Sequence, residues 1–137
     1  MGSMAGYSQR SLRDKLGLLD GQRAAFIRMP EPVRELLGPL DGVKPLVRVG
    51  GLPFDFVITF ITSVEQLEAV LPNMKLHLKS DGQLWLAWAK RASPLHRGID
   101  ETLIRRHGLE VGLVDVKVAA LTDDWSGLKF VYRLTYR

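Results

Sequence analysis

The chain alternates between short, continuously apolar segments and segments whose apolar residues repeat at helical spacing. The clearest apolar run, Phe54–Ile61, is apolar on both faces, which is typical of a central strand covered by helices on both sides. Ser63 and Gln66 follow it at the spacing of a capping box, so a helix is predicted to begin there. The apolar stripe of that helix comprises Leu67, Val70, Leu71, Met74 and Leu78. Pro72 predicts a kink or a restart within it.

The same patterns predict further strands at 23–29, 44–49, 83–89, 115–121 and 128–136. They predict helices at 11–16, 33–37 and 100–109. Asp81-Gly82 is predicted to form a turn, and residues 122–127 to form a hairpin loop that makes the last two strands antiparallel. Strand 44–49 is an exception, because only residues 50–53 separate it from the next strand. It is therefore very short, antiparallel or outside the sheet.

Strands that alternate with helices predict an α/β domain with a Rossmann-like, mostly parallel sheet that ends in an antiparallel hairpin. The 137 residues fit one such domain. We place it at 4–137, because residues 1–3 read as a cloning scar before a start at Met4. No interdomain linker or internal repeat is recognisable in the sequence.

Composition narrows the possible chemistry. The chain has no cysteine, which excludes disulfides, thiolate zinc sites and cysteine nucleophiles. His77, His96 and His107 lack the spacing of metal ligands, so no metal is expected. No apolar run reaches the roughly 20 residues of a membrane span and no signal peptide is recognisable, which predicts a cytoplasmic protein. The net charge of +4 is too small to favour nucleic-acid binding.

Motifs in the second half of the chain resemble a known family. Phe54-Asp55 opens a buried strand, residues 78–84 (LKSDGQL) read as a helix–turn–strand passage, and a helix and an antiparallel hairpin follow. In this order they resemble the C-terminal half of class I methyltransferases. The resemblance implies a Rossmann-like sheet and, as a function, the use of S-adenosylmethionine (SAM).

A closer match covers nearly the whole chain after the scar. It rests on Lys15-Leu16-Gly17, Gly21-Gln22-Arg23, Lys90, residues 112–115 with Lys117, and residues 124–131. These segments resemble the uncharacterised bacterial family known as domain of unknown function 3052. The resemblance implies a short, methyltransferase-like protein and carries no established activity that could be transferred.

The loop after the first strand departs from the methyltransferase pattern. A nucleotide cofactor needs glycines there, so that backbone amides can approach it, but residues 27–32 read IRMPEP. Pro30 and Pro32 remove two amide donors, and Arg48 stands where an acidic residue would hold the ribose hydroxyls. The sequence therefore predicts no cofactor and favours a non-catalytic protein, while leaving catalysis open.

Six residues are predicted to gather at the carboxyl edge of the sheet, where open α/β sheets bind ligands. They are Arg28, Arg48, Ser63, Lys90, Trp125 and Ser126. Several cations, a helix N-terminus and one indole ring would suit an anion that carries a flat ring. Lys90 and Trp125 are expected to line the main concavity together. The alternative is that these are ordinary loop residues, with Trp125 plugging the end of the sheet.

Three functions remain open after these observations. The first is a non-catalytic Rossmann-like module that binds an anionic small molecule, such as a nucleotide or a phosphorylated metabolite. The second is a divergent SAM-dependent methyltransferase, and the third is a protein-interaction module or homodimer. The third would use an apolar stripe on the last strand, unless that stripe packs under a helix. The stripe comprises Phe130, Tyr132, Leu134 and Tyr136.

Overall fold

Helices cover both sides of the predicted central strand and its neighbours. The computed structural model describes residues 11–133. The strands are β1 (Arg23–Ile27), β2 (Lys44–Leu46), β3 (Phe54–Ile61), β4 (Leu78–Ala89), β5 (Leu113–Ala120) and β6 (Trp125–Tyr132). The helices are α1 (Leu12–Leu16), α2 (Glu31–Leu37), α3 (Val64–Leu76) and α4 (Glu101–Glu110).

The strands of this part of the chain form one sheet in the order β2-β1-β3-β4-β6-β5. β2, β1, β3 and β4 are parallel, whereas β6 is antiparallel to both β4 and β5. The predicted fold class is confirmed: this is a Rossmann-like α/β sheet, mostly parallel, with an antiparallel C-terminal hairpin. The strand order reverses between β1 and β3, which is the position where sheets of this kind bind ligands.

The buried apolar residues divide into one cluster on each face of the sheet. α1 and α2 cover Phe56 and Trp85 on one face, and α3 and α4 cover Val57 and Trp88 on the other. Trp85 and Trp88 thus lie on opposite faces of β4, as their odd spacing along a strand predicts. We call the two sides the α1/α2 face and the α3/α4 face.

α3 begins with a capping arrangement close to the predicted one. The Ser63 hydroxyl accepts a hydrogen bond from the Gln66 amide (3.1 Å), and the Gln66 side-chain oxygen accepts one from the Thr62 amide (2.9 Å). The return bond therefore reaches one residue further back than in a capping box. The helix continues through Pro72 without a restart. Leu78, which was predicted on its apolar stripe, opens β4 instead.

The predicted turn at Asp81-Gly82 is wrong, because both residues lie inside β4. The register between β3 and β4 shifts at this point, and residues 79–82 form a bulge. A Cβ on Gly82 would lie 2.9 Å from the Phe54 carbonyl oxygen. The glycine therefore permits the close approach of two strands rather than a reversal of the chain.

The segment 44–49 contains a very short parallel strand, β2, at the edge of the sheet. Pro45 lies at its centre, which an edge strand tolerates because one side of it makes no ladder hydrogen bonds. Since β2 ends at residue 46, residues 47–53 remain for the return to β3. Seven extended residues span about 23 Å, which is enough to pass the five-residue strand β1.

The C-terminal hairpin has a shorter loop than predicted. β5 and β6 are joined by residues 121–124 alone. The Trp125 carbonyl accepts hydrogen bonds from the amides of Leu121 (2.8 Å) and Thr122 (3.2 Å), which closes the loop early. β6 therefore begins at Trp125, before the predicted start of the strand at residue 128.

The apolar stripe of β6 packs under helices. Phe130 is buried beneath α4, and the Tyr132 hydroxyl donates a hydrogen bond to the Lys75 carbonyl on α3. Leu134 and Tyr136 lie outside the described residues. Within the described part of β6, the surface that a homodimer was expected to use is therefore occupied by the protein itself.

Asp55 joins β1 to β3 at the amino-terminal edge of the sheet. Its carboxylate accepts a hydrogen bond from the Arg23 amide (2.9 Å) and pairs with the Lys79 ammonium (2.9 Å). Burial on its own raises the pKa of Asp55, but the Arg23 amide and Lys79 together outweigh it and hold the pKa below its ordinary value.

This depressed pKa predicts an acid-sensitive contribution to stability. An unfolded aspartate has a pKa of about 3.9, so ionised Asp55 stabilises the fold above that pH. The contribution is lost as the pH falls through the lower folded-state pKa. We expect Asp55→Asn to lower the free energy of unfolding at neutral pH, and this difference from the parent to shrink on acidification. Urea unfolding at several pH values measures it, and a pH-independent difference would contradict the assignment.

Candidate functional site

The carboxyl edge of the sheet carries several recesses, and the predicted site residues are distributed among them. Arg28 follows β1, Arg48 follows β2 and Lys90 follows β4, but each lines a different recess. Ser63 follows β3, where its hydroxyl caps α3. The structure therefore does not bring the three cations onto one rim. Arg48 lies in the groove beside α3, whereas Arg28 and Lys90 lie in two separate recesses that are both lined in part by α2.

Trp125 lies below this edge rather than on it. It begins β6 opposite Ala89, is only 5% exposed, and packs edge-to-face on Phe60 with ring centroids 5.2 Å apart. The expectation that Trp125 lines the main concavity beside Lys90 is therefore wrong, and its burial supports the alternative of a plug at the end of the sheet. Ser126 is half-buried within β6 and lines none of the recesses described below.

The most voluminous of these recesses, about 710 Å³, lies between α1, α2 and the turn that joins β5 to β6. Its charged lining comprises Lys15, Lys90, Glu35, Asp123 and Asp124. We call it the mixed-charge concavity. Lys90 lines a concavity, as predicted, but three carboxylates beside two ammoniums would repel a ligand that carries negative charge alone.

A smaller cleft of about 330 Å³ lies at the carboxyl ends of β1 and β2. Its lining comprises Phe26, Arg28, Met29, Arg34, Leu40, Pro45, Leu46 and Val47. Two guanidinium groups and no carboxylate thus line this space, which we call the arginine cleft. An adjoining recess of about 580 Å³ shares Arg34 with it and is also lined by Glu31 and Glu35. Arg34 was missed by the sequence analysis, because it lies inside α2 and the prediction considered only residues at the ends of strands.

Arg28 has a left-handed backbone conformation (φ 57°) immediately after β1. Few residues other than glycine adopt it, and it costs roughly 1–2 kcal/mol. An arginine therefore makes the turn for which a nucleotide-binding loop would use a glycine, and its side chain lines the cleft. Strained backbone of this kind is concentrated at functional sites.

Arg48 lines a neighbouring groove of about 270 Å³, which shares Val47 with the arginine cleft but otherwise faces α3. Asn73 of α3 borders this groove, and its side-chain nitrogen donates a hydrogen bond to the Val49 carbonyl (3.1 Å). No carboxylate lines the groove. The end of β2 thus lies between two apolar recesses, each with arginine at its border.

The three histidines make backbone contacts. His77, His96 and His107 each place Nδ1 within hydrogen-bond distance of a main-chain carbonyl, at 2.9, 3.1 and 3.0 Å. Within residues 11–133 no group of three histidine, aspartate or glutamate side chains could hold a metal ion. None of the helices in this range is long and apolar enough to cross a membrane.

Solved structures share this fold at low sequence identity. One is a SAM-dependent methyltransferase from Aquifex aeolicus (TM-score 0.61, 15% identity, 85% of each chain covered). Another is magnesium protoporphyrin IX methyltransferase from Synechocystis PCC 6803 with bound SAH (TM-score 0.61, 12% identity, 88% of this chain and 78% of that one). LepI in complex with SAM also matches (TM-score 0.56, 12% identity, 89% of this chain), and the present chain spans only 39% of its length.

These similarities show the fold of the chain and no more. An activity has to be argued from the residues of the site. Neither a family model nor a curated protein matches the chain. The resemblance to the family of domain of unknown function 3052 stays a prediction.

The residues at the carboxyl edge do not fit SAM in the way that the methyltransferase resemblance implies. Ribose hydroxyls call for a carboxylate after β2, and Arg48 stands there instead. The start of α2 is also short of backbone donors. Pro32 has no amide hydrogen, and the amides of Val33 and Arg34 both donate to the Pro30 carbonyl (3.1 Å each). Only the Glu31 amide is left in that turn to meet a ligand.

Proposed function

We propose that this chain is a Rossmann-like module that binds an anionic small molecule and does not transfer methyl groups. The observation that carries the proposal is the arginine cleft, where two guanidinium groups and no carboxylate border an apolar space. The cleft lies at the carboxyl ends of β1 and β2, next to the interval between β1 and β3 where the strand order reverses. Open α/β sheets bind their ligands outside the carboxyl ends of their strands, at that interval.

The lining of the cleft predicts the chemistry of its ligand. A guanidinium group presents planar, paired donors that match a phosphate or a carboxylate, so Arg28 and Arg34 would hold the anionic group. Leu46 and the exposed Val47 provide apolar surface for a ring. A volume of about 330 Å³ is at the small end of the range for small-molecule sites. It suits a mononucleotide or a phosphorylated metabolite better than a dinucleotide.

Removing both arginines of the cleft should weaken ligand binding. We expect the double variant Arg28→Gln/Arg34→Gln to bind a nucleoside monophosphate at least about tenfold more weakly, because a hydrogen bond to a charged group contributes about 1.5–3 kcal/mol. Isothermal titration calorimetry measures the change. Arg106→Gln, an exposed arginine on α4, is the matched control and should leave the affinity unchanged. No binding by the parent at millimolar concentration of any phosphorylated ligand would refute the proposal.

The second candidate is a divergent SAM-dependent methyltransferase, and the structural comparisons favour it over the first. The matched proteins include SAM-dependent methyltransferases and complexes with SAM or SAH, and their fold extends over at least 85% of this chain. Against it stand the missing glycines, the missing carboxylate after β2 and the scarcity of free amides at the start of α2. The two candidates differ in a property that can be measured directly.

Thermal unfolding with SAM and SAH separates the two candidates. A ligand present at 100 times its Kd adds about 2.7 kcal/mol to the free energy of unfolding, which raises Tm by several degrees. A rise with SAM or SAH would support the methyltransferase and contradict the first proposal. No rise with either, together with a rise for nucleotides that Arg28→Gln/Arg34→Gln abolishes, would support the anion-binding module.

A further inference from the structure

The mixed-charge concavity is lined by five charged residues that form no ion pairs with one another. Lys15, Lys90, Glu35, Asp123 and Asp124 all line it. Ion pairs form elsewhere in residues 11–133, but none of them involves any of these five groups. Charges of both signs therefore line the same space without forming ion pairs with each other.

The walls of the concavity are fixed by hydrogen bonds. The Lys15 ammonium donates to the Ala120 carbonyl (3.3 Å), and the Lys117 ammonium donates to the Lys15 carbonyl (3.1 Å), so α1 is fastened to β5. Across the concavity, the Lys90 amide donates to the Asp124 carbonyl (2.7 Å). The end of β4 is thereby held against the turn between β5 and β6.

That turn is stabilised from within as well. The Thr122 hydroxyl accepts hydrogen bonds from the amides of Asp124 and Trp125 (3.1 Å each). The Lys15 ammonium and the backbone of Lys90 and of the Asp123-Asp124 turn are therefore held in place before a ligand arrives. Such preorganisation reduces the ordering that binding requires.

The balance of charges determines which ligands the concavity can accept. A ligand with negative charge alone would meet a lining of net negative charge, and one with positive charge alone would leave the two ammoniums without a counter-charge. A ligand that carries both charges can place its carboxylate at the lysines and its ammonium at the acidic side chains. Leu36, which is 57% exposed, and Pro32 add an apolar wall.

We propose that the mixed-charge concavity binds a zwitterion with an apolar body, either a free amino acid with an apolar side chain or a short peptide. Lys90 and Lys15 meet its carboxylate, Asp124 and Glu35 meet its ammonium group, and Leu36 contacts its apolar part. This site is distinct from the arginine cleft, with which it shares no lining residue. The proposal therefore does not depend on the anion-binding function above.

Amide chemical shifts recorded by NMR during titration of the whole chain test the proposal. We expect leucine to shift the amides of residues 120–124 and Lys90 saturably and to leave that of Arg28 unchanged. N-acetyl-leucine lacks the ammonium group and leucinamide lacks the carboxylate, so each should bind at least about tenfold more weakly. Leucyl-leucine distinguishes the two sources: tighter binding than leucine assigns the site to peptides, and weaker binding assigns it to free amino acids.

Two variants test whether the charges of Lys90 and Asp124 determine the affinity for leucine. Lys90→Gln and Asp124→Asn should each weaken leucine binding at least about tenfold, while Arg106→Gln should not change it. Circular dichroism and Tm would show whether both variants keep the parent fold; both residues are only partly buried, so large losses of stability are not expected. The proposal is overturned if leucine produces no saturable shift, or if N-acetyl-leucine or leucinamide binds as tightly as leucine.

Discussion

Replacing Gly108 with alanine is expected to destabilise the protein, although alanine is the better helix former. Gly108 lies in α4 directly above the buried ring of Phe130. An added Cβ would lie 2.7 Å from Cδ1 of that ring and closer still to Cε1 and Cζ. Real Cβ atoms do not approach other atoms this closely, and Phe130, fully buried between the sheet and α4, cannot move aside without disturbing its neighbours.

Two opposing effects decide the sign of the change. A glycine-to-alanine change inside a helix gains about 1 kcal/mol from helix propensity alone. Overpacking a well-packed core costs about 1–3 kcal/mol and occasionally more. Because the clash here involves ring atoms rather than the end of a flexible side chain, we expect the cost to prevail. The net loss in the free energy of unfolding should be about 1–2 kcal/mol, measured by urea or thermal unfolding.

Two further variants isolate the contact. Thr102→Ala, at an exposed position of the same helix, should change the free energy of unfolding by no more than about 0.5 kcal/mol. Phe130→Leu should destabilise on its own but compensate in part for Gly108→Ala, which gives the double variant a non-additive energy. A Gly108→Ala variant that is more stable than the parent would show that α4 does not pack on Phe130 in this way.

The central part of the sheet could be predicted because its signals are local. β3 coincides with the predicted Phe54–Ile61, since a strand covered on both faces is apolar throughout and stands out from any helix. The helix after it was predicted from Ser63 and Gln66, whose side chains contact the amides within three or four residues. Where a short stretch of sequence contains its own hydrogen-bond partners, the strand or helix that it forms can be predicted from the sequence alone.

Other elements depend on strands that are distant in sequence. Asp81-Gly82 has the composition of a turn, but pairing with β3 draws it into β4 as part of a bulge. The short loop at 121–124 depends on the Trp125 carbonyl, which two amides contact only once β5 and β6 are paired. Local propensity is a weak guide where tertiary pairing can supply better hydrogen bonds.

The sequence predicted at which edge of the sheet the candidate residues lie, but not toward which face of the sheet each of them turns. Arg28, Arg48 and Lys90 follow strand ends, and the rule for parallel sheets correctly puts them all at the carboxyl edge. The rule specifies neither the face toward which each residue turns nor its position along the edge, and the three residues lie in three different recesses. Trp125 is a second case in which the position in the sequence did not give the direction of the side chain. It follows the hairpin turn, but its ring faces the buried cluster around Phe60.

Fold and site lead to different expectations for this chain. The sheet has the fold of the matched methyltransferase structures, whereas prolines and arginines stand at its carboxyl edge where the methyltransferase pattern has glycines and an acid. The fold is specified by buried positions distributed over the whole sheet, so it can persist when a few residues at one edge change. A site depends on a few side chains, and its function has to be argued from them.

The largest loss of stability is expected from Trp85→Ala. Trp85 is fully buried on the α1/α2 face, and its indole Nε1–H donates a hydrogen bond to the Leu16 carbonyl at the end of α1 (3.0 Å). Removing a large buried aromatic side chain costs about 3–5 kcal/mol through lost apolar contact and the cavity left behind. Urea unfolding should show this loss in the extrapolated free energy.

Trp85→Phe separates the hydrogen bond from the packing. It keeps much of the ring but leaves the Leu16 carbonyl without its donor, which should cost about 1–3 kcal/mol. Trp88→Phe is the matched control on the opposite face, because Trp88 is nearly as buried but its indole makes no hydrogen bond within residues 11–133. We expect the loss for Trp85→Phe to exceed that for Trp88→Phe, with faster amide hydrogen exchange in α1 alone. Equal losses, or unchanged exchange in α1, would mean that packing rather than this hydrogen bond holds α1 on the sheet.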